Sequence, residues 1–502
     1  MTKDLLFELP VKGDSTAFIV LLARAQSAVE KLSPLLTPLA NAFKDAGESL
    51  YLVGGPVRDA MLGRLGNDLD FTTSARPETI RAILDGWGDN VWDTGIEFGT
   101  VSAVKDGQQV EITTFRSDLY DGVTRNPEVT FGDTIEGDLI RRDFRVNAMA
   151  IELIPTSDSL EFDFHDPVDG LKDLLNHTLD TPQAPEVSFR DDPLRMLRAA
   201  RFVSQLGFDV APRVKDAMTD MAEEIDRITV ERVQTELDKL MCGARPWDGI
   251  DLIVTTGLAD RIIPEIPALK LERDEHMQHK DVYAHSLTVL KQACELEGSS
   301  PQEEGTSSQD PDLVLRWAAL LHDIGKPDTR AAKPGGGVTF HHHEVVGAKL
   351  ARKRLRKLKY PKHVIEDVGQ LVFLHMRFHG FGEGQWTDSA VRRYVTDAGD
   401  LLPRLHKLVR ADCTTRNPRK AARLQNTYDH LEERIADLAA KEDLARVRPD
   451  LDGNEIMEIL GLEPGPQVGK AWAYMKELRL ERGELDHDEA VEELKKWWAN
   501  NG

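Results

Sequence analysis

The sequence predicts an α+β domain built on a small mixed sheet, followed by a long all-α remainder. Three observations carry this reading. Between Ser49 and Phe115, short β-type runs alternate with helical runs and are punctuated by glycine turns. From Pro193 to Arg232 the apolar spacing becomes helical and stays so downstream. The chain has 502 residues, too long for one ordinary domain, so roughly two to four are expected.

Each element follows from local signals. The first thirty-odd residues read as a lead-in. An apolar helical pattern from Leu35 to Ala46 stops at Gly47, and a strand from Ser49 to Val53 runs into Gly54-Gly55. Val57 to Leu65 reads as helix, Asp68 to Thr72 as strand, and Pro77-Glu78 opens a helix through Leu84. Thr100–Val104 and Gln109–Phe115 form a hairpin around Asp106-Gly107. Residues 295–312 lack apolar content and are expected to be a disordered loop. Gly335-Gly336-Gly337 marks a turn before a histidine cluster, and Gly453, Gly461 and Gly465-Pro466 separate short helices near the end.

Composition narrows the class. A hydrophobic content of 41% with 30% charged residues is that of a soluble globular protein. Cys242, Cys294 and Cys413 lie far apart without a CxxC pair, which suits a reducing cytoplasm and argues against disulfides or a thiolate zinc site. The longest apolar run, Ala17 to Ala23, is too short to span a bilayer, and no secretory cleavage signal follows Lys3; a cytoplasmic protein without membrane association is expected. The net charge of −23 runs against a nucleic-acid partner, but distribution matters more than the total. Lys349 to Lys359 is densely basic, and Arg392, Arg393, Arg404, Lys407, Arg410, Arg416, Arg419, Lys420 and Arg423 continue the bias. Charge alone leaves a solvated helix face and an RNA surface equally open.

Three separated segments carry chemistry. Asp68 and Asp70 sit two apart on a strand, so both carboxylates face one side, where they can hold metal ions that clamp a triphosphate. Gly54 and Gly55 let backbone approach phosphate oxygens, and Arg58 on the following helix adds a cation. Surface aspartates after a plain strand–turn–helix would share the glycines but not the Asp-x-Asp that follows. Glu111 on a later strand is a candidate third carboxylate, for metal binding or for deprotonating a 3′-hydroxyl; a solvent-facing glutamate reads the same way. In the second segment Arg141 and Arg142 suit phosphates, Asp143 can accept from a ribose hydroxyl, and Asn147 lies one helical turn beyond; a helix-starting ion pair is the structural alternative. In the third, Asp192 and Arg195 stand three apart at a helix start and share a face. An acceptor beside a fan of donors matches the exocyclic amine and unprotonated ring nitrogen of cytosine and adenine. Guanine and uracil present the reverse pattern and would leave mismatched groups costing about 1–3 kcal/mol each. A simple helix ion pair remains the alternative.

These segments together resemble the bacterial class II tRNA nucleotidyltransferases, the CCA-adding enzymes of the polymerase-beta-like superfamily. The resemblance rests on Gly54 to Arg64, Asn67 to Phe71, Gly99 to Val101, Arg141 to Ala150, Asp166 to Asp173, Asp191 to Phe202 and Glu231-Arg232, and covers most of residues 35–265. It implies an N-terminal lead-in (1–34), a nucleotidyltransferase head with a small mixed sheet (35–180), an all-α neck with the base template (181–268), an HD-type helical body (269–425) and a helical tail that contacts tRNA (426–502). It further implies Asp68 and Asp70 as Mg²⁺ ligands, Gly54, Gly55, Arg58, Arg142, Asp143, Asn147 and Arg198 as nucleotide contacts, and Asp192 with Arg195 as the template for C and A. Asp191 stands where the family has glutamate, and Arg145 where it often has threonine. The substrates implied are tRNA, CTP and ATP, with no obligate protein partner.

Poly(A) polymerases share the head, but this chain has Gly99-Thr100-Val101 where they carry a basic pair and an aromatic, and it ends Trp497-Trp498-Ala-Asn-Asn-Gly rather than in a basic tail. Ser117 to Thr130 supplies the flexible loop that CC-adding enzymes lack, which leaves full CCA addition with an A-adding enzyme as the alternative. A second constellation, His285, His322-Asp323 and Asp412, resembles the HD superfamily of metal-dependent phosphohydrolases over about residues 275–415, through Leu320 to Pro327. Adjacent His and Asp on one helix, with His and Asp from two others, can bind a divalent transition metal and activate water. His343 and His375 complete a second metal position, and Lys326 can contact phosphate. A vestigial fold in which these side chains merely pack is the alternative. The resemblance suggests phosphorylated RNA ends as substrates, and a phosphohydrolase whose head only binds tRNA is the rival reading of another class.

Overall fold

The computed structural model describes residues 15–93, 99–117, 130–157, 159–271, 281–297, 310–332, 338–381, 386–415, 417–441 and 448–501. The chain divides into two compact units, Met1–Glu236 with Asp248–Arg261, and Leu237–Trp247 with Ile262–Gly502.

The first unit begins with two helices, α1 Ser15–Glu30 and α2 Ser33–Asp45. Helix α1 lies in the stretch expected to be a lead-in. Ala17, Leu21, Ala25 and Val29, spaced by four, form a buried stripe, and the helix packs on α3 Gly55–Met61. The apolar run read as merely too short for a membrane thus gives Ala17 and Leu21 to the docked face, while Ile19 stays exposed.

The sheet is mixed and seven-stranded, in the order β3-β4-β5-β2-β1-β8-β9. Its strands are β1 Leu50–Val53, β2 Asp68–Thr73, β3 Asn90–Trp92, β4 Thr100–Lys105, β5 Gln108–Thr114, β8 Ala150–Pro155 and β9 Leu160–His165; β6 Arg116–Ser117 and β7 Thr130–Phe131 pair separately. Only β2 and β5 run parallel, with Asp70 opposite Glu111. The β4–β5 hairpin turns through Asp106 (φ +50°) and Gly107 (φ +77°), the two positive dihedrals of a tight turn. Helices α3, α4 Pro77–Trp87, α5 Ile135–Ile140 and α6 Gly170–Leu175 complete this part. Helix α3 ends at Met61, short of the expected Leu65, because Gly63 turns the chain at φ +73°. A core of Tyr51, Val53, Phe115, Ile135, Leu139, Ala148 and Ala150 joins sheet and helices.

The rest of the first unit is helical: α7 Pro185–Asp191, α8 Leu194–Leu206, α9 Pro212–Asp220, and the parts of α10 Val230–Met241 and α11 Pro246–Thr255 that belong to it, with α12 Leu258–Ile262 at its end. A two-stranded parallel pair, β10 Thr178–Leu179 with β11 Asp209–Val210, interrupts the helical run expected from Pro193 to Arg232.

The second unit contains α13 Val282–Leu296, α14 Leu313–Leu321, α15 Lys326–Thr329, α16 His343–Lys357, α17 Lys362–Leu374, α18 Asp388–Ala398, α19 Leu402–Ala411, α20 Pro418–Ala439, α21 Gly453–Leu460, α22 Pro466–Arg482 and α23 His487–Asn501. The loop expected over 295–312 is narrower at both ends. Helix α13 continues to Leu296, Glu297 pairs with the buried Arg316 at 2.7 Å, and the Asp312 side chain accepts from Leu315 N as the N-cap of α14. Residues 298–309 and the Gly335-Gly336-Gly337 turn lie outside the described residues. Helices α21 to α23 share a core of Leu451, Ile456, Ala471, Met475, Leu478, Ala490 and Leu494. Among the described residues none of the three cysteines forms a disulfide. Among the described residues no helix is long and apolar enough to cross a membrane.

Candidate functional site

Strand β2 buries Leu69 and Phe71 and turns Asp68 and Asp70 to the other face, which is open to solvent. Pairing with β5 places Glu111 beside Asp70, while Val110 and Ile112 point into the core with Leu69 and Phe71. Three carboxylates therefore share one face of two adjacent strands. Asp70 is crowded by protein on one side, and this desolvation, followed by the repulsion of Glu111, raises its carboxyl to about 6; Arg142 opposes the shift and Asp68 adds to it. Acids that repel one another this way suit a cation, but Asp68, Asp70 and Glu111 are not among the groups whose ligand atoms converge within 4.8 Å.

Gly54 caps α3 with φ +75° and ψ −136°, and a Cβ there would lie 2.9 Å from Arg142 Nη1. Glycine is thus required both for the dihedral and for the approach of Arg142 to the turn. Arg142 is held by Asp138, whose carboxylate accepts from Arg142 Nη2 at 3.0 Å and from Arg141 Nη2 at 3.0 Å. Burial acts to raise the Asp138 carboxyl, but Arg142 and Arg141 prevail and hold it below the usual range. Arg141 is the C-cap of α5, while Asp143 stands just before the short 3-10 helix Arg145–Asn147 and pairs with Arg198, so the helix-start ion pair named as the structural alternative is present.

A continuous network runs inward from here. Arg58 is buried; it donates to Asn147 Oδ1 at 2.6 Å and, through Nε and Nη2, to Asp59 at 3.0 Å each. Asn147 donates to Asp143 Oδ1 at 3.1 Å, and Arg198 donates twice to Asp143 Oδ2, at 2.8 and 2.5 Å. Phe144 N also donates to Asp143, at 2.8 Å, so the carboxylate takes four hydrogen bonds from its own chain. Burial favours a neutral Asp143, but Arg198, Asn147 and Arg195 overcome it and hold the carboxyl well below the usual range. Arg58, Arg198 and Arg201 stack around the Phe202 ring at 5.3, 5.9 and 4.3 Å. Arg145, which had no role in the sequence, is a structural clamp: it donates to Thr181 O at 3.1 Å and lies 3.3 Å from Asp180 and 3.8 Å from Asp173.

Asp192 and Arg195 stand on either side of the α7–α8 junction, with Asp192 the C-cap of α7, so they do not share one helix face. Arg195 Nη2 donates to Arg141 O at 2.7 Å and Nη1 to Ser188 Oγ at 2.9 Å. Asp192 accepts from Leu194 N at 3.2 Å and from Arg232 Nη2 at 2.9 Å. Both side chains remain half-buried. Asp138 and Ser188 were not singled out in the sequence, and Phe202 and Arg232 had no role assigned. The spacing of Asp138 three and four residues before two arginines was a usable signal; Ser188 gave none.

In the second unit, His285 comes from α13, His322-Asp323 from the end of α14, His343 from the start of α16, His375 from the end of α17 and Asp412 from the end of α19. They form two ligand groups, His285/His322/Asp412 and Asp323/His343/His375, in each of which the ligand atoms lie within 4.8 Å of one another. His322, His343 and His375 each turn Nδ1 to the backbone carbonyl three residues earlier, at 2.8, 2.9 and 2.6 Å, and His285 Nδ1 meets Thr414 Oγ1 at 3.1 Å. This arrangement puts the proton on Nδ1 and presents Nε2 to the centre, as metal ligation requires. The Nε2 atoms of His343 and His375 are buried without a hydrogen bond. Burial, reinforced by His322, lowers His375 to about 3, whereas the carboxylates of Asp323 and Asp412 outweigh burial and raise His322 to about 9. Gly325 makes the cluster compact: a Cβ there would lie 2.1 Å from His343 O. The donor set fits a pair of divalent transition metals. Lys326 Nζ lies 3.0 Å from Asp323. His341 and His342 are exposed and outside both groups.

Comparison with known proteins matches three segments of the chain. Residues 50–180 match the poly A polymerase head domain, 207–269 the probable RNA and SrmB-binding site of polymerase A, and 282–441 the HD domain. The A-adding tRNA nucleotidyltransferase of Deinococcus radiodurans is 31% identical over 459 residues, covering 89% of this chain and 95% of its own. The CCA-adding enzyme of Levilactobacillus brevis is 41% identical over 222 residues, or 44% of this chain and 53% of its own length, so that match spans only about half of the relative. The crystal structure of the Bacillus stearothermophilus CCA-adding enzyme in complex with CTP superimposes with a TM-score of 0.61 at 26% identity, covering 93% of this chain and 98% of that one.

Proposed function

The chain belongs to the tRNA nucleotidyltransferases, the family of its A-adding and CCA-adding relatives, and from that membership we propose that it builds the complete 3′-terminal CCA of tRNA from CTP and ATP. The observation that carries this is the chain of contacts that joins the base-reading pair to the glycine turn. Arg195 is bonded to the carbonyl of Arg141, Arg142 lies over Gly54, and Gly54 leads into the helix that carries Arg58. Asp68 and Asp70, with Glu111 beside them, hold Mg²⁺. The metal supplies charge neutralisation on the triphosphate and a lowered pKa for the RNA 3′-hydroxyl. The residues themselves position the reactants. Gly54 and Gly55 bring backbone to the phosphates, and Arg142 adds a cation held by Asp138. Asp143 and Asn147 order Arg198 and Arg58 beneath the sugar. Asp192 accepts from the exocyclic amine of C or A while Arg195 donates to the ring nitrogen, and Arg232 and Ser188 fix the two side chains before a nucleotide arrives. The protein acts in the cytoplasm.

In the second unit, His285, His322, Asp323, Asp412, His343 and His375 hold divalent transition metals. Such metals supply an activated water for phosphate-ester hydrolysis at phosphorylated RNA ends. Lys326 lies at this centre as a phosphate contact.

A second reading, addition of A alone, is favoured by the match along nearly the whole length of the Deinococcus radiodurans enzyme. The loop on which the distinction turned, Ser117 to Thr130, lies largely outside the described residues. Extension of tRNAs ending before CCA, after C and after CC, with each nucleotide alone and with CTP plus ATP, tests both. Stepwise C, C, A addition that stops is expected. Addition of A only to the CC-ended tRNA would replace this reading with the A-adding one, and long A tails would replace it with a poly(A) polymerase.

A further inference from the structure

Helix α16 has two sharply different faces. His343, Gly347, Ala348, Ala351, Arg354 and Leu355 are buried, and the helix packs on α17. At 100° per residue these fall on one side. Lys349, Lys353, Arg356 and Lys357 fall within a quarter-turn or so on the other, and all four are exposed.

The cations of this helix divide by partner. Arg354 is buried against Glu265 at 2.8 Å, and Arg352 pairs with Glu366 at 2.9 Å. The four on the outer face pair with no carboxylate among the described residues, in a chain whose net charge is −23. With acidic groups in such excess, four adjacent unpaired cations are not what random surface composition gives. Favourable interaction with the helix dipole accounts for Arg356 and Lys357 in the last turn, but not for Lys349 and Lys353 in the middle. Lys359 and Lys362, exposed at the turn into α17, extend the same patch.

We propose that this outer face of α16, continued by the α16–α17 turn, binds the phosphodiester backbone of tRNA. Lys349, Lys353 and Lys357 rise along the helix in steps of about 6 Å, a separation comparable to that of neighbouring phosphates on one strand. The chemistry favours RNA over a protein or a lipid surface. Among the described residues the patch offers flexible cations, and the exposed large apolar side chains (Ile19, Ile154, Val187 and Trp472) lie elsewhere, so it has no apolar interface core or membrane wedge there. Flexible cations alone suit a sequence-independent polyanion. The basic run from Lys349 to Lys359 is accordingly not one uniform surface: its buried members hold the fold and its outer members meet the ligand.

This inference rests on tRNA being the substrate, and the experiment separates the two. The full chain carrying K349E, K353E, R356E and K357E is compared with wild type for tRNA binding by fluorescence anisotropy between 50 and 300 mM KCl, and for nucleotide addition at saturating tRNA. A glutamine version of the four, with thermal melting of each protein, controls for folding. Wild-type affinity falls steeply with salt. The glutamate variant is expected to bind at least tenfold more weakly at 50 mM KCl, with a log–log salt slope shallower by about 3, intermediate behaviour for glutamine, and an unchanged maximal rate. Equal affinity and slope in all three, with wild type still extending tRNA, would overturn the surface and leave the function standing. Failure of wild type to extend any tRNA would instead overturn the functional reading. Binding lost to an acidic protein competitor but not to tRNA would replace RNA with a protein partner.

Discussion

Removing the Arg198 side chain tests the network at its most buried point. Asp143 has 7% of its side chain exposed and Arg198 has 33%, and the two meet at 2.5 Å. Breaking a buried pair from one side leaves the other charge uncompensated, at a cost of about 3–5 kcal/mol. Partial access of water to the Arg198 position, and the remaining bonds from Phe144 N and Asn147 to Asp143, place Arg198→Ala at the lower end, about 3 kcal/mol. For a unit of this size that corresponds to a fall in melting temperature of about 6–12 °C. The pH dependence adds a sign. In the wild type the Asp143 carboxyl is held well below its unfolded value, so its stabilisation is full at neutral pH and is lost only as pH falls through that depressed folded value. Without Arg198, burial is opposed only by Asn147, Arg195 and the Phe144 N–H, so the carboxyl rises from its depressed value. The stability gap between wild type and variant should therefore narrow as pH falls from about 5 towards 3, where wild type begins to lose this contribution. Calorimetry of the full chain across that range, with Asp143→Asn and the double variant, reads both effects. The double variant should recover at least about 1.5 kcal/mol as coupling. An Arg198→Ala protein that melts within a degree or two of wild type, with the same pH trend, would refute the argument.

Three other outcomes follow from the geometry. Asp70→Asn should abolish nucleotide addition while leaving the fold intact. Because the Asp70 carboxyl is raised to about 6, the metal-free wild type should lose stability as pH rises from about 4 through 6 relative to this variant, and a thermal-melting series in EDTA showing no such divergence would contradict it. Gly54→Ala places a Cβ 2.9 Å from Arg142 Nη1 at φ +75° and ψ −136°; a strain of about 1–3 kcal/mol and a raised KM for nucleotide are expected, and unchanged steady-state kinetics would speak against Arg142 over the turn. His375→Ala should lower the metal content of the purified protein, measured by inductively coupled plasma mass spectrometry, without slowing nucleotide addition; undiminished metal would remove His375 from the ligand set.

Much of the head was legible because its chemistry is written in short local patterns. Asp68 and Asp70 alternate with Leu69 and Phe71, so the strand period alone puts the acids on one face. The hairpin at Asp106-Gly107 needs residues that tolerate positive φ, and the sequence offers them there. What escaped reading depended on contacts between distant segments. Nothing near Ser188 foretells that its hydroxyl will meet Arg195, and nothing near Arg145 foretells Asp173 and Asp180, because those pairs exist only once α6, α7 and α8 are packed. The α1 stripe was missed for another reason: Ala17, Leu21, Ala25 and Val29 have helical spacing, but the contiguous apolar run from Ala17 to Ala23 hides it.

The partners of Asp192 and Arg195 change how selection by a protein template works. Had the two merely paired with each other, an incoming base would have to break that pair, and its cost would be subtracted from every correct contact. Instead each is held by a third group: Asp192 by Arg232 and the backbone at Leu194, Arg195 by Ser188 and the carbonyl of Arg141. Acceptor and donors are thus oriented in advance, and a base with the complementary edge adds bonds without exchanging any. A base with the reverse edge meets groups already oriented against it, so relieving its mismatch means breaking the bonds that hold them. On the proposed template role, such pre-ordering would favour C and A over G and U, but it gives no means of telling C from A. That choice requires the pair to move between the second and third additions. The Arg195–Arg141 bond, which links α8 to the segment bearing Arg142 and Asp143, is the connection through which a change at the triphosphate would reach the base.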